Sequence, residues 1–189
     1  MAIRPLLLGH RGARAEKSVP ENTLASFDRA LAHGCDGFEF DVRLSADGQP
    51  VICHDATVQG VEVAGCAAPR LAVPLLRDVL ERYQATAFLD IELKVPGLEF
   101  STLDLLRAFP PTHGYLISSF LPGVLEAVHG RDAAVPLGLI CETRAQLSFW
   151  LKSPVNAVMP YYKLVSRSDI ANIQSAGKKV MVWTVNSTK

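Results

Sequence analysis

Short apolar runs alternate with amphipathic stretches along the whole chain. Residues 6–9 form the first run, which ends in Gly9-His10-Arg11-Gly12. Behind it Leu24, Phe27 and Leu31 recur at helical spacing, with Asn22 placed as N-cap and Gly34 as the stop. Residues 37–44 read as the second strand, and 50–54 as a short extension ending at His54. Residues 56–73 are rich in Gly, Ala and Pro with weak periodicity, and read as a loop. Leu75, Leu76, Val79 and Leu80 form the next helical stripe. Further strands are expected at 88–94, 115–119, 137–141, 156–160 and 180–185. Helices are expected at 102–108, 123–129, 145–151 and 168–176.

Strands alternating with helices predict a parallel α/β architecture. Seven such strands are one short of a TIM (β/α)8 barrel, a fold that usually takes about 250 residues. The chain has 189. The expectation is therefore one domain over residues 1–189, a TIM-barrel type truncated after strand seven. Open barrel edges would expose unpaired backbone groups and invite self-association.

Composition narrows the function class. Lys+Arg and Asp+Glu are both 19, so the formal net charge is +0. Nothing in that balance asks for nucleic acid or an anionic membrane. Leu6-Leu7-Leu8 is too short for a signal-peptide core or a membrane span. Cys35, Cys53, Cys66 and Cys141 form no CxxC pair, which fits reduced thiols in a cytoplasmic protein. Asn186-Ser187-Thr188 has the form of a glycosylation sequon and is read as a chance match.

The polar residues gather at the ends of the apolar strands, where a barrel of this type builds its site. Glu39 and Asp41 lie two apart on the second strand, so both carboxylates share a face while Phe38, Phe40 and Val42 take the other. Asp90, Glu92 and Lys94 repeat the device. Carboxylates crowded together repel unless a cation or proton intervenes. Oxygen ligands without imidazole suit Mg²⁺ or Ca²⁺ better than zinc. His10 and His54 close neighbouring strand segments and suit a general acid and base. Arg11 and Lys94 offer charge for phosphate oxygens, or merely neutralise the acids.

Seven short motifs occur in order: His10-Arg11-Gly12, Pro20-Glu21-Asn22-Thr23, Glu39-Phe40-Asp41-Val42, Asp47-Gly48, His54-Asp55, Glu92-Leu93-Lys94 and Trp183-Thr184-Val185-Asn186. In this the chain resembles the glycerophosphodiester phosphodiesterase family. The resemblance implies that His10 and His54 are the acid/base pair. Glu39, Asp41 and Glu92 would hold a divalent metal, and Arg11 and Lys94 would bind phosphate. It places Glu21 in the site, beside Arg11, and offers Phe120 and Trp183 as pocket lining or as barrel packing. It implies a small-molecule glycerophosphodiester cut to glycerol 3-phosphate and an alcohol. A lysophospholipase D or sphingomyelinase D-like activity is the nearest rival. An inactive, truncated barrel acting as a binding module is the rival from another class.

Overall fold

The computed structural model describes residues 4–186, so the Ser187-Thr188 part of the sequon-like tripeptide lies outside it. The chain divides into two compact units, residues 1–115 and 116–189. The first holds β1 (Leu8–His10), α1 (Leu24–Ala32), β2 (Gly37–Leu44), β3 (Pro50–Ile52), β4 (Thr57–Val58), β5 (Val61–Glu62), α2 (Leu76–Tyr83), β6 (Phe88–Leu93) and α3 (Glu99–Ala108). The second takes up β7 (Tyr115–Ser119), α4 (Pro122–Arg131), β8 (Leu137–Cys141), α5 (Arg144–Ser148), β9 (Ala157–Pro160), α6 (Arg167–Ser175) and β10 (Lys179–Val180).

In the first unit β2 is central. It pairs in parallel with β1 and β6, and antiparallel with β3. The register sets His10 beside Glu39, Glu39 beside Asp90, and Asp41 beside Glu92. The period of two in β2 separates oil from charge. Phe38, Phe40 and Val42 are fully buried. Phe27 of α1 stacks on Phe38 at 4.2 Å, and the Tyr83 ring meets Phe38 edge-on at 4.9 Å. Helices α1 and α2 therefore clamp one face of β2, and the alternation commits Glu39 and Asp41 to the opposite face.

Gly37 lets β2 start close to β6, because a Cβ there would lie 1.9 Å from the Phe88 carbonyl oxygen. In the second unit β7, β8, β9 and β10 pair in parallel in chain order. The parallel α/β expectation holds in both units.

Some elements differ from the sequence reading. Thr23, not Asn22, caps α1: its Oγ1 accepts from the Ser26 amide. The buried side of α1 is Ser26, Phe27 and Ala30, rotated from the Leu24–Phe27–Leu31 stripe. Residues 56–73 carry more order than a loop. Thr57–Val58 and Val61–Glu62 form a hairpin across Gln59 and Gly60, both at positive φ as a tight two-residue turn demands. Val63, Cys66, Ala68 and Leu71 then bury themselves against Val51 and Cys53. Apolar residues spaced for a small satellite core, rather than for a helix or strand, explain why periodicity missed it. The last strand is also shorter than 180–185. Regular pairing stops at Val180, although Met181 and Trp183 still donate to the carbonyls of Val158 and Pro160.

Among the described residues no helix is long and apolar enough to cross a membrane. The four cysteines are free thiols.

Candidate active site

The loop after β1 begins the site. Gly12 has φ +78°, and a Cβ there would sit 2.4 Å from Ser26 Oγ. Only glycine lets the loop lie this close on α1. The Ala13 amide donates to Ser26 Oγ and to the Ser26 carbonyl, and Ser26 Oγ donates to the Arg11 carbonyl. Arg11 itself is held at φ +53°.

Glu39, Asp41 and Glu92 come together with one ligand atom each, all within 4.8 Å of one another. Asp41 and Glu92 are buried and Glu39 nearly so. Lys94 Nζ stands 2.6 Å from Glu92 Oε1 and 3.2 Å from Asp41 Oδ1. Arg11 Nε is 3.2 Å from Asp41 Oδ2, while its Nη1 donates to Glu21 Oε1 at 2.7 Å. Lys94 Nζ and Arg11 Nε thus meet these carboxylates as close ion pairs. Glu39 Oε2 accepts from the Arg11 amide at 2.9 Å, but its buried Oε1 accepts from no described residue. Arg11 and Lys94 face Glu21, Glu39, Asp41 and Glu92, so acid exceeds base.

The electrostatics follow. Burial, then repulsion from Asp41, Glu92 and Asp90, pushes the Glu39 carboxyl well above the usual range. Burial and the Asp41 charge raise Glu92 to about 7, against the pull of Lys94. Burial opposes ionisation of Asp41 as well, yet Lys94, Asn22 and Arg11 outweigh it and hold its pKa low. An oxygen-only, partly buried cluster with surplus acid and an orphaned carboxylate oxygen fits a hard divalent cation.

The two histidines lie in this same unit. His10 Nε2 is 3.8 Å from Glu39 Oε2. Burial, then Arg11 and Arg14, lowers its pKa to about 4. His54 Nδ1 is 2.7 Å from Asp55 Oδ1. An ionised carboxylate only accepts, so in this contact His54 Nδ1 donates to Asp55. The Arg43 guanidinium donates to the His54 carbonyl at 2.8 Å.

Sequence reasoning left several members without an assigned role in the site. Asn22, expected as a cap, instead grips Asp41. Its Nδ2 donates to Asp41 Oδ2 at 2.8 Å, and its Oδ1 accepts from the Asp41 amide at 3.2 Å. Its φ of +56° turns it away from α1. Asp90 lies buried opposite Glu39 as a further layer of negative charge. Arg14 joins the site through Glu21 Oε2 at 2.7 Å. The signals available were Asn22 beside a better cap, Asp90 in phase with Glu92, and Asp55 adjoining His54. Phe120 and Trp183 meet edge-on at 5.7 Å within the second unit, where the Trp183 indole donates to the Met159 carbonyl.

The sequence model of the Glycerophosphoryl diester phosphodiesterase family matches residues 10–189. The chain belongs to this family. The glycerophosphodiester phosphodiesterase of Caldanaerobacter subterraneus is 28% identical, over 97% of this chain and 87% of that protein. The Thermotoga maritima glycerophosphodiester phosphodiesterase structure superposes with a TM-score of 0.84 at 22% identity, covering 99% of this chain and 88% of that one. An Oleispira antarctica phosphodiesterase, solved in complex with the product sn-glycerol-3-phosphate, gives 0.85 at 25% identity, over 97% and 85% of the two chains. These likenesses establish a TIM-barrel type α/β fold for a member of an enzyme family.

Proposed function

We propose that this protein hydrolyses glycerophosphodiesters to glycerol 3-phosphate and an alcohol, with a divalent ion, Mg²⁺ or Ca²⁺, held by Glu39, Asp41 and Glu92. The observation that carries this reading is the buried Glu39 Oε1, unbonded among acids that Arg11 and Lys94 do not balance. Product bound to the Oleispira phosphodiesterase supports the substrate class.

A bound ion would supply Lewis acidity and a fixed template for phosphate oxygens. The protein's own side chains do the rest. Arg11 and Lys94, both 13% exposed or less, present cationic charge to the phosphoryl oxygens. Glu21 fixes the Arg11 fork, which limits the ordering cost when phosphate arrives. One of His10 and His54 removes the proton from the attacking oxygen, either water or the substrate's own 2-hydroxyl. The other gives a proton to the departing alcohol oxygen. Attack by the 2-hydroxyl yields a cyclic phosphate, which water then opens with the two roles exchanged.

The test is release of glycerol 3-phosphate from glycerophosphocholine, with Mg²⁺, with Ca²⁺ and with EDTA. Release should need the metal, and His10→Gln or His54→Gln should lower kcat by roughly 10²-fold or more. The pH–rate profile should be bell-shaped. A flat profile from pH 5 to 9, or full activity in EDTA, would overturn the reading.

A further inference from the structure

We propose that Arg14 selects the head group: the site prefers glycerophosphodiesters whose leaving alcohol carries an anionic group, with the Arg14 guanidinium facing that charge. The proposal rests on the phosphodiesterase reading above and deepens it.

The site's cations divide into two kinds. Arg11 and Lys94 have side chains 11% and 13% exposed and sit against Asp41, Glu92 and Glu21. They are placed for the phosphate itself, which every glycerophosphodiester has. Arg14 differs, because half of its side chain is exposed. Its Nη1 lies 3.5 Å from His10 Nδ1, on the side of the ring away from the Nε2 that faces Glu39. Arg14 thus stands behind His10 and pairs with Glu21, whereas Arg11 and Lys94 contact the carboxylates of the acidic cluster itself.

Arg14 is also held in place. Glu21 takes Arg11 on Oε1 and Arg14 on Oε2, each at 2.7 Å. The loop beneath is tied to α1 through Ala13 and Ser26. A free surface arginine must be ordered before it can help a ligand, whereas this fork is already oriented. Glu21 spends its charge on both guanidiniums, so it neutralises Arg14 only in part.

The other flank carries both signs of charge. Asp55, 77% exposed, is bound to His54, and Arg43 donates to the His54 carbonyl. The His54 side thus carries a carboxylate and a guanidinium together, whereas Arg14 is the half-exposed cation beside His10. The glycerol half of the substrate is neutral. Only the head group varies in charge, so only the head group can be discriminated by Arg14.

The experiment compares glycerophosphoserine with glycerophosphoethanolamine, which differ by one carboxylate, on the metal-loaded full chain. The wild type should favour the serine compound in kcat/KM by about two- to fivefold at low salt. The preference should shrink at 1 M salt, where the screening length falls to about 3 Å. Arg14→Gln should bring the ratio close to one, whereas Arg14→Lys should keep most of it. A wild-type ratio of one or below overturns the proposal. So does an Arg14→Gln variant that lowers both substrates equally, which would make Arg14 only a brace for Glu21. If neither compound is cut, nor glycerophosphocholine, the phosphodiesterase reading fails and this proposal falls with it.

Discussion

Asn22 meets Asp41 with both ends of its amide, and that residue is where local backbone and site chemistry join. Its φ of +56° is a conformation Asn tolerates and Ala resists. Two substitutions separate the roles. Asn22→Gly keeps the backbone and deletes both hydrogen bonds, and should cost about 1–3 kcal/mol. Asn22→Ala should cost about a further 1 kcal/mol for strain. Urea unfolding with an unchanged m-value would measure both, and equal losses for the two variants would show that the backbone angle is unimportant.

Glu92 gives a pH signature to the metal-free chain. Its folded pKa is raised to about 7, above the ordinary 4.5. Between those values the folded chain keeps a proton that the unfolded chain has released. Stability therefore falls as pH rises through that window. His10, lowered to about 4, acts in the opposite direction from pH 4 to 6.5, since there the unfolded chain binds the extra proton. The comparison with Glu92→Gln reads Glu92 together with Glu39, whose carboxyl the Glu92 charge helps to raise. In EDTA the variant should gain stability relative to the wild type on going from pH 4.5 to 7, by up to about 3 kcal/mol. A constant difference across that range would refute the assignment.

At the scale of elements, the loop after β1 and the aromatic clamp behind β2 decide whether the site exists. Gly12→Ala would drive a Cβ into Ser26 while forcing a side chain onto φ +78°. It should destabilise by at least about 2 kcal/mol and displace Arg11. Phe27→Ala should cost about 3–5 kcal/mol in thermal or urea unfolding, because Phe27 stacks within a fully buried group.

Much of this scale was legible beforehand. The alternation of Glu39 and Asp41 with Phe38, Phe40 and Val42 put two carboxylates on one face, and β7 and β8 were read to the residue. Legibility failed where tertiary contacts overrule local pattern. Asn22 and Thr23 are both good caps, and nothing local tells that Asp41 claims the first. The hairpin at 57–62 leaves no periodicity because its strands are two residues each. Glu21 serving Arg11 was foreseen, but Glu21 also serving Arg14 needs the fold of the loop.

For the whole molecule, binding at one site must appear in global stability. A cation that binds only the folded chain stabilises it by RT ln(1 + [L]/Kd), about 2.7 kcal/mol at a hundredfold excess over Kd. Thermal unfolding followed by circular dichroism should therefore move to higher temperature with Mg²⁺ or Ca²⁺, and return with EDTA.

The most direct measurement is calorimetric titration of Ca²⁺, and separately Mg²⁺, into the metal-stripped chain at pH 6 in two buffers of different ionisation heat. One saturable site is expected for at least one ion. Its heat should depend on the buffer, because binding displaces protons from Glu39 and Glu92. Glu39→Gln should weaken that site strongly. A folded wild-type chain with no saturable binding, or binding unaffected by Glu39→Gln, would mean that these acids are a buried cluster held by Lys94 and Arg11 and not a cation site.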